Sequence, residues 1–150
     1  MTAAELDTNA QAVRRIFDDC FDRGRLGLLS ELVAADFQDA QGGVGPDAFR
    51  RTVESIRTGI PDIHYTLEDV LAAGDKVTLR WTWTGTNTGP MRGRPPSGRR
   101  VTNTGIAIFQ LRGGKITRVW METDRLGYLQ QTGVVPESVT ATPTQPAPVQ

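Results

Sequence analysis

Lys76-Val77-Thr78-Leu79-Arg80-Trp81-Thr82-Trp83-Thr84 carries the pattern on which the fold class turns. Val77, Leu79, Trp81 and Trp83 alternate with Thr78, Arg80, Thr82 and Thr84, the period of two of a strand with one face on a core. Working outward, Ile63, Tyr65 and Leu67 alternate with His64, Thr66 and Glu68 in the strand before it, across a Gly74-Asp75 turn signal. After a long loop rich in Gly, Pro and Arg (85–98), Arg100 to Leu111 forms a third strand. Gly113-Gly114 then leads into a fourth, beginning at Lys115. Pro61 marks the boundary with a different regime upstream. Val13, Phe17, Cys20 and Phe21 recur at helical spacing within Asn9 to Arg23, Leu28, Leu29, Leu32 and Val33 follow briefly, and Phe49, Val53, Ile56 and Ile60 form a second long apolar stripe. Helices first and a strand meander second predict an α+β fold, with N-terminal helices packed on a curved antiparallel sheet.

The chain has 150 residues, enough for one core without a disulfide or metal. We read residues 1–8 as a flexible start, 9–133 as the folded domain, and 134–150, rich in Pro and Thr, as a disordered tail. Seventeen basic and seventeen acidic residues cancel, which argues against a nucleic-acid partner bound through a general positive field. No apolar run has membrane-spanning length and the first residues are too polar for a signal peptide, so a cytoplasmic protein without membrane association is expected. The one cysteine, Cys20, sits on an apolar helix face and reads as a core thiol; the one histidine, His64, reads as solvent-facing. Without a His cluster or Cys pair, no metal site is expected, and no phosphate-binding glycine loop points to a nucleotide cofactor.

Chemistry gathers in the fourth strand, Lys115-Ile116-Thr117-Arg118-Val119-Trp120-Met121-Glu122-Thr123-Asp124. Strict alternation places Ile116, Arg118, Trp120, Glu122 and Asp124 on one face. Two carboxylates close together beside an indole raise each other's pKa, which suits proton transfer near neutral pH. The same spacing also fits Asp124 as the N-cap of a short helix from Arg125, and Glu122 as an ion-pair partner of Arg118. Asp39 and Gln41 alternate around Ala40 and fit either a cavity mouth or turn chemistry before Gly42-Gly43. Trp81, Trp83, Trp120, Tyr65 and Phe109 fit a plain core or the walls of an apolar pocket. Arg92, Arg94, Arg99 and Arg100 fit a solvated loop or a guard that attracts an acidic substrate.

Taken in order, several pieces resemble one family: Gly45-Pro46 with Phe49, Pro61-Asp62-Ile63, Gly74-Asp75-Lys76-Val77, Arg80-Trp81, Thr88-Gly89, Gly93-Arg94-Pro95-Pro96, Gly105-Ile106, Gly114-Lys115-Ile116, Trp120 and Asp124-Arg125-Leu126-Gly127. Over about Val13 to Gly133 the chain resembles the SnoaL-like polyketide cyclases, of the superfamily that includes nuclear transport factor two and scytalone dehydratase. The resemblance implies a cone-shaped α+β barrel with an internal pocket, a homodimer, and no metal or organic cofactor. It also implies tailoring of a small hydrophobic or aromatic natural product, as in antibiotic biosynthesis, with Asp124 equivalent to the cyclase base and Glu122 modulating it. Trp120, Trp81, Asn103, Asp39 and Gln41 are then the expected substrate contacts. The pattern Phe37-Gln38-Asp39-Ala40 lacks the histidine many relatives carry, and Ala107, Val119 and Glu122 stand near positions of further cyclase histidines. Hydroxylation or epoxide opening, and ligand carriage without chemistry, are the alternatives the same pocket allows.

Overall fold

A computed structural model describes residues 1–140, so the expected disorder of 141–150 lies outside the described residues. Helix α1 spans Ala3–Arg15 and continues as a π-helical segment, Ile16–Asp22. The periodicity placed this helix at Asn9, with a flexible start before it. It begins earlier because Thr2 and Glu5 close a reciprocal capping box, each meeting the other's backbone N–H. Widening to a π turn brings Ile16, Phe17, Cys20 and Phe21 onto one buried face, where a 3.6-residue turn would rotate some of them away. Short turns lead to α2 (Leu29–Leu32), and α3 (Gly45–Gly59) carries proline in its first turn.

Four strands follow: β1 His64–Ala73, β2 Lys76–Thr86, β3 Arg100–Arg112 and β4 Lys115–Thr123. They pair antiparallel in the order β1-β2-β3-β4, a plain meander. In the two central strands alternation is unbroken: Val77, Leu79, Trp81 and Trp83 of β2 face inward with Val101, Asn103, Gly105, Ala107, Phe109 and Leu111 of β3. Each edge strand, however, carries one extra residue. Leu67 faces Trp81 and Asp69 faces Arg80, leaving Glu68 unpaired; Leu111 faces Ile116 and Gln110 faces Arg118, leaving Thr117 unpaired. Such bulges bend a strand and sharpen its twist, so both edges curl toward the helices and the sheet becomes a cone.

The helices fill the concave side. Phe17 lies 5.3 Å from Phe21, 5.1 Å from Tyr65, 5.7 Å from Trp81 and 6.0 Å from Phe109 between ring centroids, an aromatic cluster joining helix to sheet. Arg57 ties α3 to the end of the π segment by donating to the carbonyls of Phe21 (2.6 Å) and Asp22 (2.7 Å). Cys20 is fully buried, and burial pushes its thiol up to about 11, as befits a core residue. His64 is exposed and lies 2.7 Å from Asp22, whose other oxygen accepts the Tyr65 N–H.

After β4, α4 (Arg125–Gln131) folds back over the open end of the cone. Gln131 exchanges two hydrogen bonds with the backbone of Thr102 (2.9 and 2.8 Å), substituting for a strand where β4 has ended. The start of the expected tail is ordered into a 3₁₀ turn, Glu137–Val139, with Gln130 reaching Pro136 O and Thr140. No helix among the described residues is long and apolar enough to cross a membrane.

Candidate functional site

Between the wide end of the cone, α3 and α4 lies a cavity of about 390 Å³. Tyr65, Trp81 and Trp83 form its sheet wall, with Asn103, Met121 and Thr123; Thr52 and Ile56 come from α3, and Tyr128 and Leu129 from α4. Met91, Arg92, Arg94, Asp124 and Arg125 complete the lining. Trp83 and Tyr128 rings lie 6.4 Å apart, so aromatic surface faces the space from sheet and lid alike.

The bulge at Thr117 decides which half of β4 reaches this cavity. Beyond it the alternation changes parity, so Val119, Met121 and Thr123 turn inward while Arg118, Trp120 and Glu122 turn out. Trp120 and Glu122, expected as substrate contact and acid/base partner, therefore stand on the outer face of the sheet. Trp120 is 46% exposed and lies under the Arg118 guanidinium at 5.9 Å. Glu122 faces Ile106 across the strands, and no Arg118–Glu122 ion pair forms among the described residues. A signal was present in the sequence: Ile116, Val119 and Met121 cannot share an inward face unless one residue is inserted between the first two.

Asp124 escapes that reversal because the strand ends at Thr123 and the chain turns into α4. Its backbone N–H donates to Thr104 O (3.1 Å), and its carbonyl accepts from Asn103 Nδ2 (2.8 Å) and from Tyr128 N (3.1 Å). Oδ1 caps α4 by accepting from Gly127 N at 2.8 Å, and glycine at 127 leaves the Asp124 carboxyl in place, because a Cβ there would overlap it and push it aside. The N-cap and cavity roles thus coexist. Oδ2 accepts no hydrogen bond from the described residues, and Asp124 is the one carboxylate among the lining residues.

Trp81 and Asn103 line the cavity. Both are buried, and Trp81 Nε1 has no hydrogen-bond partner among the described residues. Gly105 makes room for the Trp81 ring, since a Cβ at that position would sit 2.6 Å from Cε2. Burial, and secondarily Asp22, raises the Tyr65 phenol, which stays protonated across the physiological range. Asp39 and Gln41 do not line the cavity. Asp39 Oδ1 accepts the N–H groups of Gln41 (2.9 Å) and Gly43 (2.6 Å), which makes it the keystone of the turn before α3.

Asn87, which sequence reasoning passed over, organises the long loop. It is 3% exposed; Nδ2 donates to Gly59 O (3.1 Å) and Gly89 O (2.9 Å), while Oδ1 accepts from Ser97 N (2.9 Å). Within the loop, Met91 and Arg94 exchange backbone hydrogen bonds of 3.0 Å each way around Arg92 (φ 50°) and Gly93 (φ 75°). This is a two-residue turn with both central residues left-handed, which glycine and asparagine ordinarily occupy. Among the described residues no group of three or more His, Cys, Asp and Glu could hold a metal ion.

A family model described as SnoaL-like polyketide cyclase matches residues 11–132. The chain belongs to the SnoaL-like polyketide cyclase family. Among solved structures, TsrD from Streptomyces laurentii is similar at 26% identity and a TM-score of 0.80, over 90% of this chain and 99% of that one. IdmH from Streptomyces antibioticus, a candidate polyketide cyclase, is similar at 26% identity with a TM-score of 0.69, over 84% and 99% of the two chains. A candidate SnoaL-like polyketide cyclase from Jannaschia sp. CCS1 shares the fold at 24% identity and a TM-score of 0.81, over 91% and 99%. Among curated protein sequences none matches the chain significantly. Family and neighbours support a polyketide-cyclase-like role on the cone fold of the nuclear transport factor two superfamily.

Proposed function

We propose that the protein is a cofactor-independent tailoring enzyme of polyketide-type natural products, closing a ring by intramolecular aldol addition with Asp124 as general acid/base. The observation that carries this reading is the position of Asp124. It is the lone carboxylate of an aromatic-walled cavity, fixed through Oδ1 and the backbone, with Oδ2 left over. Oδ2 removes a proton α to a substrate carbonyl. The resulting enolate carbon attacks a second carbonyl of the same molecule, forming the C–C bond, and the alkoxide recovers the proton from the Asp124 carboxylic acid. The enolate oxygen needs a donor that stays protonated, and Tyr65, in the lining, is the group suited to that role. Histidine is dispensable in this scheme because the same carboxyl group takes up and returns the proton. Glu122, on the outer face, has no direct part.

The test uses an aryl methyl ketone, 2-acetylnaphthalene, whose α-protons exchange slowly with D2O. The protein accelerates that exchange, and Asp124→Asn loses the acceleration while melting like the parent. Absence of acceleration, or its survival in Asp124→Asn, refutes the assignment.

The reading includes a homodimer. Ile106, Ile108 and Trp120 on the outer face of β3 and β4 are 53%, 37% and 46% exposed, apolar surface suited to a second copy. Light scattering should give twice the chain mass, and Trp120→Glu should shift it to the monomer.

A further inference from the structure

The cavity has cations its own acid does not use. Three guanidinium groups, Arg92, Arg94 and Arg125, line it against one carboxylate, and Asp124 spends its capping oxygen on a backbone N–H. Among the described residues, Arg92 and Arg94 make no ion pair and no side-chain hydrogen bond, although acidic side chains elsewhere take up Arg15, Arg23, Arg25, Arg80 and Arg112. Their backbone, by contrast, is held firmly. Asn87 pins both ends of the loop, and the Met91 side chain packs on Gly59, where a Cβ would come within 2.9 Å of it. Arg92 occupies a left-handed conformation that glycine would adopt without strain. A hydrogen-bonded hairpin thus keeps an arginine where backbone preference alone would place a glycine. Burial raises the pKa of the Tyr128 hydroxyl, and both arginines oppose that rise without cancelling it, so their field reaches the aromatic lid.

We propose that the substrate carries an anionic group, a carboxylate in the simplest case, which Arg92 and Arg94 hold at the cavity mouth while its aromatic body lies against the wall that Trp83 and Tyr128 form together. The inference rests on reading this cavity as the substrate site and adds the substrate class. Guanidinium groups suit the task because their planar donors match a carboxylate two bonds at a time.

The full-length protein is titrated with 2-naphthoate and with methyl 2-naphthoate, following the tryptophan fluorescence that Trp81 and Trp83 contribute at the cavity wall. The acid should bind about tenfold more tightly than the ester at low salt, with the preference shrinking as salt rises. Arg92→Gly combined with Arg94→Gln should bring the ratio close to one by weakening the acid alone. Glycine at position 92 suits the turn, so the double variant should melt at or above the parent temperature. Equal affinities in the parent, a preference that survives in the double variant, or no binding of either probe overturns the proposal. Asp124→Asn keeps the acid preference if the arginines read the anion; its loss there also overturns the proposal. A protein that prefers the acid yet fails the ketone exchange test refutes the aldol reading and leaves this one standing.

Discussion

Replacing Gly105 by alanine tests whether the cavity wall is built as described. The residue sits in β3 opposite Thr123, with its α-carbon under the Trp81 indole. An added Cβ would overlap Cζ2, lie 2.6 Å from Cε2 and 2.9 Å from the carbonyl oxygen of Glu122, where 3.4 Å begins ordinary contact. Trp81 is 1% exposed, backed by Phe17 at 5.7 Å and Tyr65 at 6.3 Å, so the ring cannot retreat into the core. It yields by moving into the cavity or by straining β3. Overpacking of this kind costs about 1–3 kcal/mol, and the lower unfolded-state entropy of alanine offsets about 0.4–1 kcal/mol. A net loss of about 1–2 kcal/mol lowers the melting temperature by roughly 2–8 °C for a chain of this size. Circular dichroism melts measure it, with Gly27→Ala as comparator, since a Cβ there meets nothing within 4 Å and the entropy gain alone should leave stability unchanged or raised by up to about 1 kcal/mol. Fluorescence titration with naphthoate should show weaker binding to the Gly105 variant as the displaced indole takes up cavity space. An unchanged or raised melting temperature for Gly105→Ala would refute the packing argument.

Gly127→Ala pushes on the Asp124 carboxyl, the mobile end of a side chain, rather than on a packed ring. Ketone exchange should fall at least about tenfold while stability changes by no more than about 1 kcal/mol, the range of a single N-cap bond; parent-level exchange would disconnect the cap from catalysis. Alkaline pH supplies a separate check. Cys20 rises from an ordinary 9.0 to about 11 in the fold, so the folded state holds its proton longer than the unfolded chain. Stability from this group is complete below about pH 9 and is lost as pH climbs through about 11. Melts across that window should decline more steeply for the parent than for Cys20→Ala, and parallel curves would count against it.

The order of elements was legible before any coordinates. Period-two alternation in Lys76 to Thr84 and helical spacing in Val13 to Phe21 each report a local rule, the direction successive side chains take from the backbone. Asp124 was legible too, as a cap and as a candidate base, because both roles follow from an acid at a strand-to-helix junction. Trp120 and Glu122 were misplaced by the same local rule. One unpaired residue, Thr117, shifts the register with β3 and exchanges the inner and outer faces for the rest of the strand. Pairing with a neighbour settles whether such a residue is accommodated as a bulge, and the neighbour is distant in sequence. Asn87 and the Arg92 turn belong to the same class. Their roles depend on Gly59, Ser97 and Tyr128, brought together only when α3, the loop and α4 meet over the open end of the cone. The sequence alone determined the helices, the strands and the acid at the end of β4. Which side chains share the cavity with that acid was decided by the tertiary structure, through a bulge and a loop whose partners lie far along the chain.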